Sequence, residues 1–120
     1  MAARNYRRLT AWQKAMDLAT GIYDLTRSFP DNERFGLVSQ LRRAAVSIAS
    51  NIAEGEGRGN DNEFIQFLRI AHGSLQEVET QLYLAHRLHL ADEQETEPLL
   101  ELAGEVGRLI NGLLRSLREH

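Results

Sequence analysis

Apolar residues return along this chain at spacings of three and four, in four separate stretches. Trp12, Met16, Ala19, Ile22/Tyr23 and Phe29 form the first, ending at Ser28-Phe29-Pro30. Thr10 and Gln13 match a capping box, so a first helix is expected over about 11–28. After the turn-forming Asp31-Asn32-Glu33, Leu37, Leu41, Ala44/Ala45, Ile48 and Ile52 predict a second helix over roughly 33–54. The stretch Gly55-Glu56-Gly57-Arg58-Gly59-Asn60-Asp61 is glycine-rich enough to end that helix in a left-handed cap, and Asn60 with Glu63 makes a capping box for the next. Phe64, Leu68, Ala71, Leu75, Val78, Leu82 and Ala85 then alternate steps of four and three, the seam of a bundled helix expected over 61–89. With Pro98 in its first turn, Leu99, Leu102/Ala103, Val106, Leu109/Ile110, Leu113 and Leu117 predict a fourth helix over 97–118. No segment alternates as a half-buried strand does, and the connections are short. The expected fold is all-α, a single antiparallel up-down-up-down four-helix bundle spanning 1–120.

Helix 2 departs from the usual surface pattern. Small or apolar residues occupy most of its circumference, including Val38, Leu41, Ala44, Ala45, Val46, Ile48, Ala49, Ile52 and Ala53. At 100° per residue, Gln40, Arg43, Ser47, Ser50, Asn51 and Glu54 share the remaining narrow arc, a polar ladder leading to Arg58. Helix 3 begins similarly, with Phe67 and Ile70 off its own seam. Such a helix is expected to be covered on more than one side. We therefore expect a homo-oligomer whose interface includes Gln40, Arg43, Ser47, Ser50, Asn51, Glu54, Phe67 and Ile70.

Composition narrows the remaining possibilities. The chain has no cysteine, which excludes disulfides, thiolate zinc sites and cysteine nucleophiles and leaves a cytoplasmic location as the expectation. Its first residues are polar and basic, with no apolar run behind them long enough for a signal peptide or a membrane span. The net charge of −3 is unevenly spread: residues 1–60 carry 9 basic and 6 acidic side chains, residues 61–120 carry 5 and 11. Phosphate affinity comes from clustered Lys and Arg, so the first half either presents a basic face or carries ordinary solvated arginines.

A search for reactive constellations finds none. Di-metal bundles need Glu-x-x-His pairs on two helices, and none is present. His86 and His89 are three residues apart, but two imidazoles do not complete a metal site. Gly55-x-Gly57-x-Gly59 lacks both the preceding strand and the Lys-Ser/Thr of a phosphate loop. The serines at 39, 47, 50 and 74 have no neighbouring elbow or base. Neither a cofactor, a metal nor enzymatic activity is expected.

The block Gln40-Leu41-Arg42-Arg43-Ala44-Ala45-Val46-Ser47-Ile48-Ala49-Ser50-Asn51-Ile52-Ala53-Glu54-Gly55 resembles the hallmark of the four-helix bundle proteins encoded in 23S rRNA intervening sequences. Leu9-x-x-Trp12-x-x-Ala15-Met16 is similar to that family's opening, and Glu63-Phe64-x-x-Phe67-Leu68-x-Ile70-Ala71-x-Gly73-Ser74-Leu75 to its third helix. The resemblance covers nearly the whole chain from Tyr6 onward. It implies a ring, typically of five subunits, with no enzymatic activity. It also implies kinship with the accessory protein of diversity-generating retroelements, which binds nucleic acid and a reverse transcriptase through a basic surface. Arg42, Arg43 and Arg58 match basic positions of the motif, although this chain is acidic overall where nucleic-acid-binding relatives are basic.

Two functional readings follow. In one, Arg4, Arg7, Arg8, Arg42, Arg43 and Arg58 contact the phosphates of RNA or DNA, and binding falls steeply with salt. In the other, the ring is a scaffold that docks a partner protein, with Arg42 and Arg43 paired to Glu54 or to acidic residues of a neighbouring subunit.

Overall fold

A computed structural model describes residues 5–118, with four α-helices among them: α1 (Thr10–Thr26), α2 (Ser39–Gly57), α3 (Asp61–Arg87) and α4 (Glu93–Arg118). Each packs against the next and α4 closes back onto α1, giving an antiparallel bundle 49 Å long and 20–22 Å across. Side-chain pairs report the antiparallel register. Arg42 reaches Thr26 between α2 and α1, Ser47 meets Ser74 between α2 and α3, and Lys14 meets Glu105 between α1 and α4.

The seam expected for α3 is buried throughout, from Phe64 to Ala85. The face expected for α1 is displaced by about one position. Ala11, Ala15, Leu18, Ile22 and Leu25 form its buried stripe, whereas Met16 and Tyr23 are exposed and Trp12 only partly covered. Two alanines begin the inward stripe, and the bulkier Trp12 and Met16 sit at its edge.

The helix ends differ from expectation for identifiable reasons. Thr10 does not cap α1. A 3-10 turn over Tyr6–Arg8 precedes it, the Leu9 carbonyl accepts from the Gln13 N–H at 3.1 Å, and the Gln13 side chain donates to the Arg7 carbonyl at 2.9 Å. Tyr6 meets Trp12 edge-on, ring centroids 5.3 Å apart, holding this turn against the bundle.

The second helix starts later than residue 33 and ends later than residue 54. A 3-10 turn at Asp31–Glu33 and a wide turn at Arg34–Val38 come first, because Gly36 leaves helical geometry (φ −103°, ψ −110°). Gly55 continues the helix. A Cβ there would lie 2.5 Å from the Cβ of Phe67, so this glycine permits the close crossing of α2 and α3, and the left-handed residue that ends α2 is Gly59 (φ +71°). Asn60 caps α3 as expected, its Oδ1 accepting from the Glu63 N–H at 3.1 Å, but the return bond from the Glu63 side chain that would complete the box is not made among the described residues.

A further capping box starts the fourth helix before residue 97. Asp92 Oδ1 accepts from the Glu95 N–H at 2.8 Å, and Glu95 Oε1 accepts from the Asp92 N–H at 3.1 Å. Pro98 thus falls in the second turn of α4, on its exposed side, where water can take the missing hydrogen bond. At the end of α3, His89 adopts φ +61° and the N–H of Leu90 donates back to the Ala85 carbonyl at 2.9 Å, which closes a Schellman motif.

Candidate interaction face

The polar ladder of α2 faces α3, and much of it is used within the subunit. Ser47 and Ser74 hydroxyls lie 2.9 Å apart, and Asn51 Nδ2 donates to both the carbonyl and the hydroxyl of Ser47 at 2.8 and 2.9 Å. Either hydroxyl can donate in the Ser47–Ser74 pair, because the Ser47 oxygen can accept from Asn51 and from Ser74 at once. Higher on the ladder Gln81 Nε2 donates to Gln40 Oε1 at 3.4 Å, while Gln81 Oε1 is shielded from water without a partner. These short side chains bring the two backbones together, continuing the close contact that Gly55 allows.

Arginines expected to act together are divided. Arg42 lies over the Tyr23 ring at 4.5 Å and its Nε donates to Thr26 Oγ1 at 2.9 Å, which ties α2 to the C-terminal turn of α1. Arg58 pairs with Glu54 at 3.0 Å and covers the Phe67 ring at 5.1 Å. Arg7 Nε donates to Asn5 Oδ1 at 3.2 Å within the N-terminal turn, and Arg8 is exposed beside it. Arg4 lies outside the described residues. Sixteen residues of one helix separate Arg42 from Arg58, about 24 Å at 1.5 Å per residue. The described arginines among the six therefore do not share one patch.

Arg43 is different. Its guanidinium makes no hydrogen bond or ion pair among the described residues, and it stands on a ridge between two grooves. On one side, Gln40, Ser47, Ser74, Glu77 and Gln81 line a polar groove of about 370 Å³ between α2 and α3. On the other, Tyr23, Ser39, Arg42 and Val46 line a mostly apolar one of about 490 Å³ between α1 and α2. Of the remaining interface candidates, Ser50 is exposed, Phe67 is partly covered by its contacts with Gly55 and Arg58, and Ile70 is 52% exposed.

Uncovered apolar side chains extend beyond the residues singled out from the sequence. Met16 and Tyr23 on α1, Phe35 in the α1–α2 connection, Val46 on α2, and Ile70, Tyr83, Leu84 and Leu88 on or just after α3 are exposed. The signal for Tyr83 and Leu84 lay in the chain, since both stand off the four-three seam of α3 as Ile70 does. Among the described residues no group of three or more His, Asp or Glu side chains is placed to hold a metal ion, and no helix is long and apolar enough to cross a membrane.

Comparison with known proteins adds a relationship to this geometry. A family model described as 23S rRNA-intervening sequence protein matches residues 7–112. No curated protein matches the chain. Among solved structures it is similar to a protein of unknown function from the S23 ribosomal protein family of Bacteroides thetaiotaomicron, 27% identical, with a TM-score of 0.80 over 88% of this chain and 98% of that one.

Proposed function

The chain belongs to the 23S rRNA-intervening sequence protein family, and on that premise we propose that it is a non-enzymatic assembly module, a ring of identical four-helix subunits that docks a partner protein. The subunit number, five, is what the family resemblance implies. One observation carries the reading: the exposed large apolar side chains lie on α1, α2, α3 and the segments adjoining them, and none lies on α4. Exposed apolar surface of this extent on a small bundle is surface for association. It lies in separate places, Tyr23 and Val46 beside the α1–α2 groove and Ile70 and Leu84 on one face of α3. Two unlike surfaces on each subunit suit head-to-tail contacts, the kind that closes a ring of odd number.

Light scattering across a concentration series tests the proposal. The expected mass is a fixed multiple of the 13.6 kDa subunit, reduced to one subunit by joint Val46→Asp and Ile70→Asp substitution with helicity retained. A wild-type mass of one subunit at every concentration overturns it.

The unpaired guanidinium of Arg43 favours a second reading, association with nucleic acid, because a ring repeats that charge around its circumference. Its signature is retention of structured RNA at low salt, lost steeply as salt rises and lost on Arg43→Ala while the oligomer persists. The scaffold reading is supported by the internal engagement of Arg42 and Arg58, which leaves fewer of the expected arginines for phosphate.

A further inference from the structure

The connection between α1 and α2 holds out a side chain that nothing inside the subunit explains. Across the wide turn at Arg34–Val38, Leu37 and Val38 enter the core, whereas Phe35 is 90% exposed with the Arg34 guanidinium 5.5 Å from its ring. Large aromatic residues of this kind anchor protein interfaces by filling a pocket on the partner.

A hollow of suitable character lies on the last turns of α3. Thr80, Tyr83, Leu84, His86 and Arg87 line a groove of about 480 Å³, and Tyr83 is 60% exposed. The two features stand at the same end of the bundle. The Gln81–Gln40 hydrogen bond sets the last turns of α3 beside the first turn of α2. Phe35 lies in the connection just before α2, and Leu84 to Arg87 follow Gln81 by three to six residues, so both lie beyond that bond in the same direction. Charge is complementary on balance: Asp31 and Glu33, the latter with one oxygen accepting from the Leu37 N–H, outweigh Arg34 around the aromatic knob, and Arg87 in the hollow has no acidic partner among the described residues.

Height decides what repetition of such a contact builds. Two unlike patches displaced along the bundle axis generate a climbing filament, whereas patches at one level repeat by rotation and close. We infer that Phe35 of one copy seats in the Tyr83–Leu84–Arg87 hollow of the next, with Asp31 and Glu33 facing Arg87, and that this joint links the subunits head to tail. The inference rests on the self-association proposed above and adds to its surfaces a joint at the α1–α2 connection.

The test compares masses by light scattering for the wild type, Phe35→Ala, Leu84→Glu and an equimolar mixture of the two variants. Each variant alone is expected at one subunit mass, at a concentration where the wild type is assembled and with unchanged helical circular dichroism. The mixture is expected at two subunit masses, because Phe35→Ala retains the hollow and Leu84→Glu retains the knob. Should Leu84→Glu fold poorly, Tyr83→Ala replaces it at a more exposed position. Variants that keep the wild-type mass overturn the joint and leave self-association standing, and variants that separate but do not pair on mixing overturn the knob-and-hollow match. A wild type that is itself one subunit overturns the joint together with the self-association reading, and so assigns Phe35 to a partner of different sequence.

Discussion

Helices α4 and α2 are both amphipathic and both pack against two neighbours, yet they use their surfaces differently. In α4, Ala103, Val106, Ile110 and Leu114 face the core, Glu101, Arg108 and Arg115 face water, and no large apolar residue is exposed. In α2, Ser47 and Asn51 are turned toward α3, while Val46 is 44% exposed beside the unpaired Arg43. The pattern of α4 is fully accounted for by the fold of one subunit. That of α2 is not, and the remainder is the surface on which the proposed association rests.

Substitutions along the two helices can break or sharpen this contrast. The largest effect is expected from Gly55→Ala, whose added methyl meets the backbone-proximal Cβ of Phe67. Overpacking at a site that cannot yield outweighs the gain in helix propensity, with a net loss on the order of 2 kcal/mol and a fall in Tm of roughly 8 °C. A neutral result by thermal denaturation would mean that α2 and α3 approach less closely than described. Arg42→Ala removes the Thr26 hydrogen bond and the Tyr23 stack, so urea denaturation should show a loss of about 1.5 kcal/mol. An unchanged midpoint would free this arginine for phosphate contact and reverse the order of the two functional readings. The smallest effect, and of opposite sign, is expected at Gly112 of α4, where nothing stands within 4 Å of an added Cβ. Gly112→Ala should stabilise by about 0.8 kcal/mol in the same assay without altering the oligomer mass. A change in mass would show that α4 also meets a neighbour.

How legible these features are in the sequence follows from the range of the interactions behind them. The seam of α3 is visible because its four-three spacing is set by large residues that all end up inside. The inward stripe of α1 is masked, since Ala11 and Ala15 carry little hydrophobic weight while Trp12, Met16 and Tyr23 mimic a core face one position away. Gly55 looks like punctuation until Phe67 is known to lie against it. The Asp92–Glu95 box is a local pattern, obscured by the proline placed after it. The candidate site divides along the same line. The polar ladder of α2 follows from helical geometry alone, but which of its members are spent on α3, and that Arg42 belongs to α1, depend on contacts across 16 to 41 residues of chain.

The order in which the helices adjoin one another also bears on how the molecule comes into being. Every helix touches its successor, and α1 with α4 is the one pairing of helices far apart in the order among the closely packed ones. Such local wiring lets hairpins close without long searches, the topology associated with folding in microseconds to milliseconds. Under the proposed self-association, encounter between finished subunits is then the slow event, limited by how often copies meet, so the abundance of the protein in its surroundings would set the pace at which assemblies form.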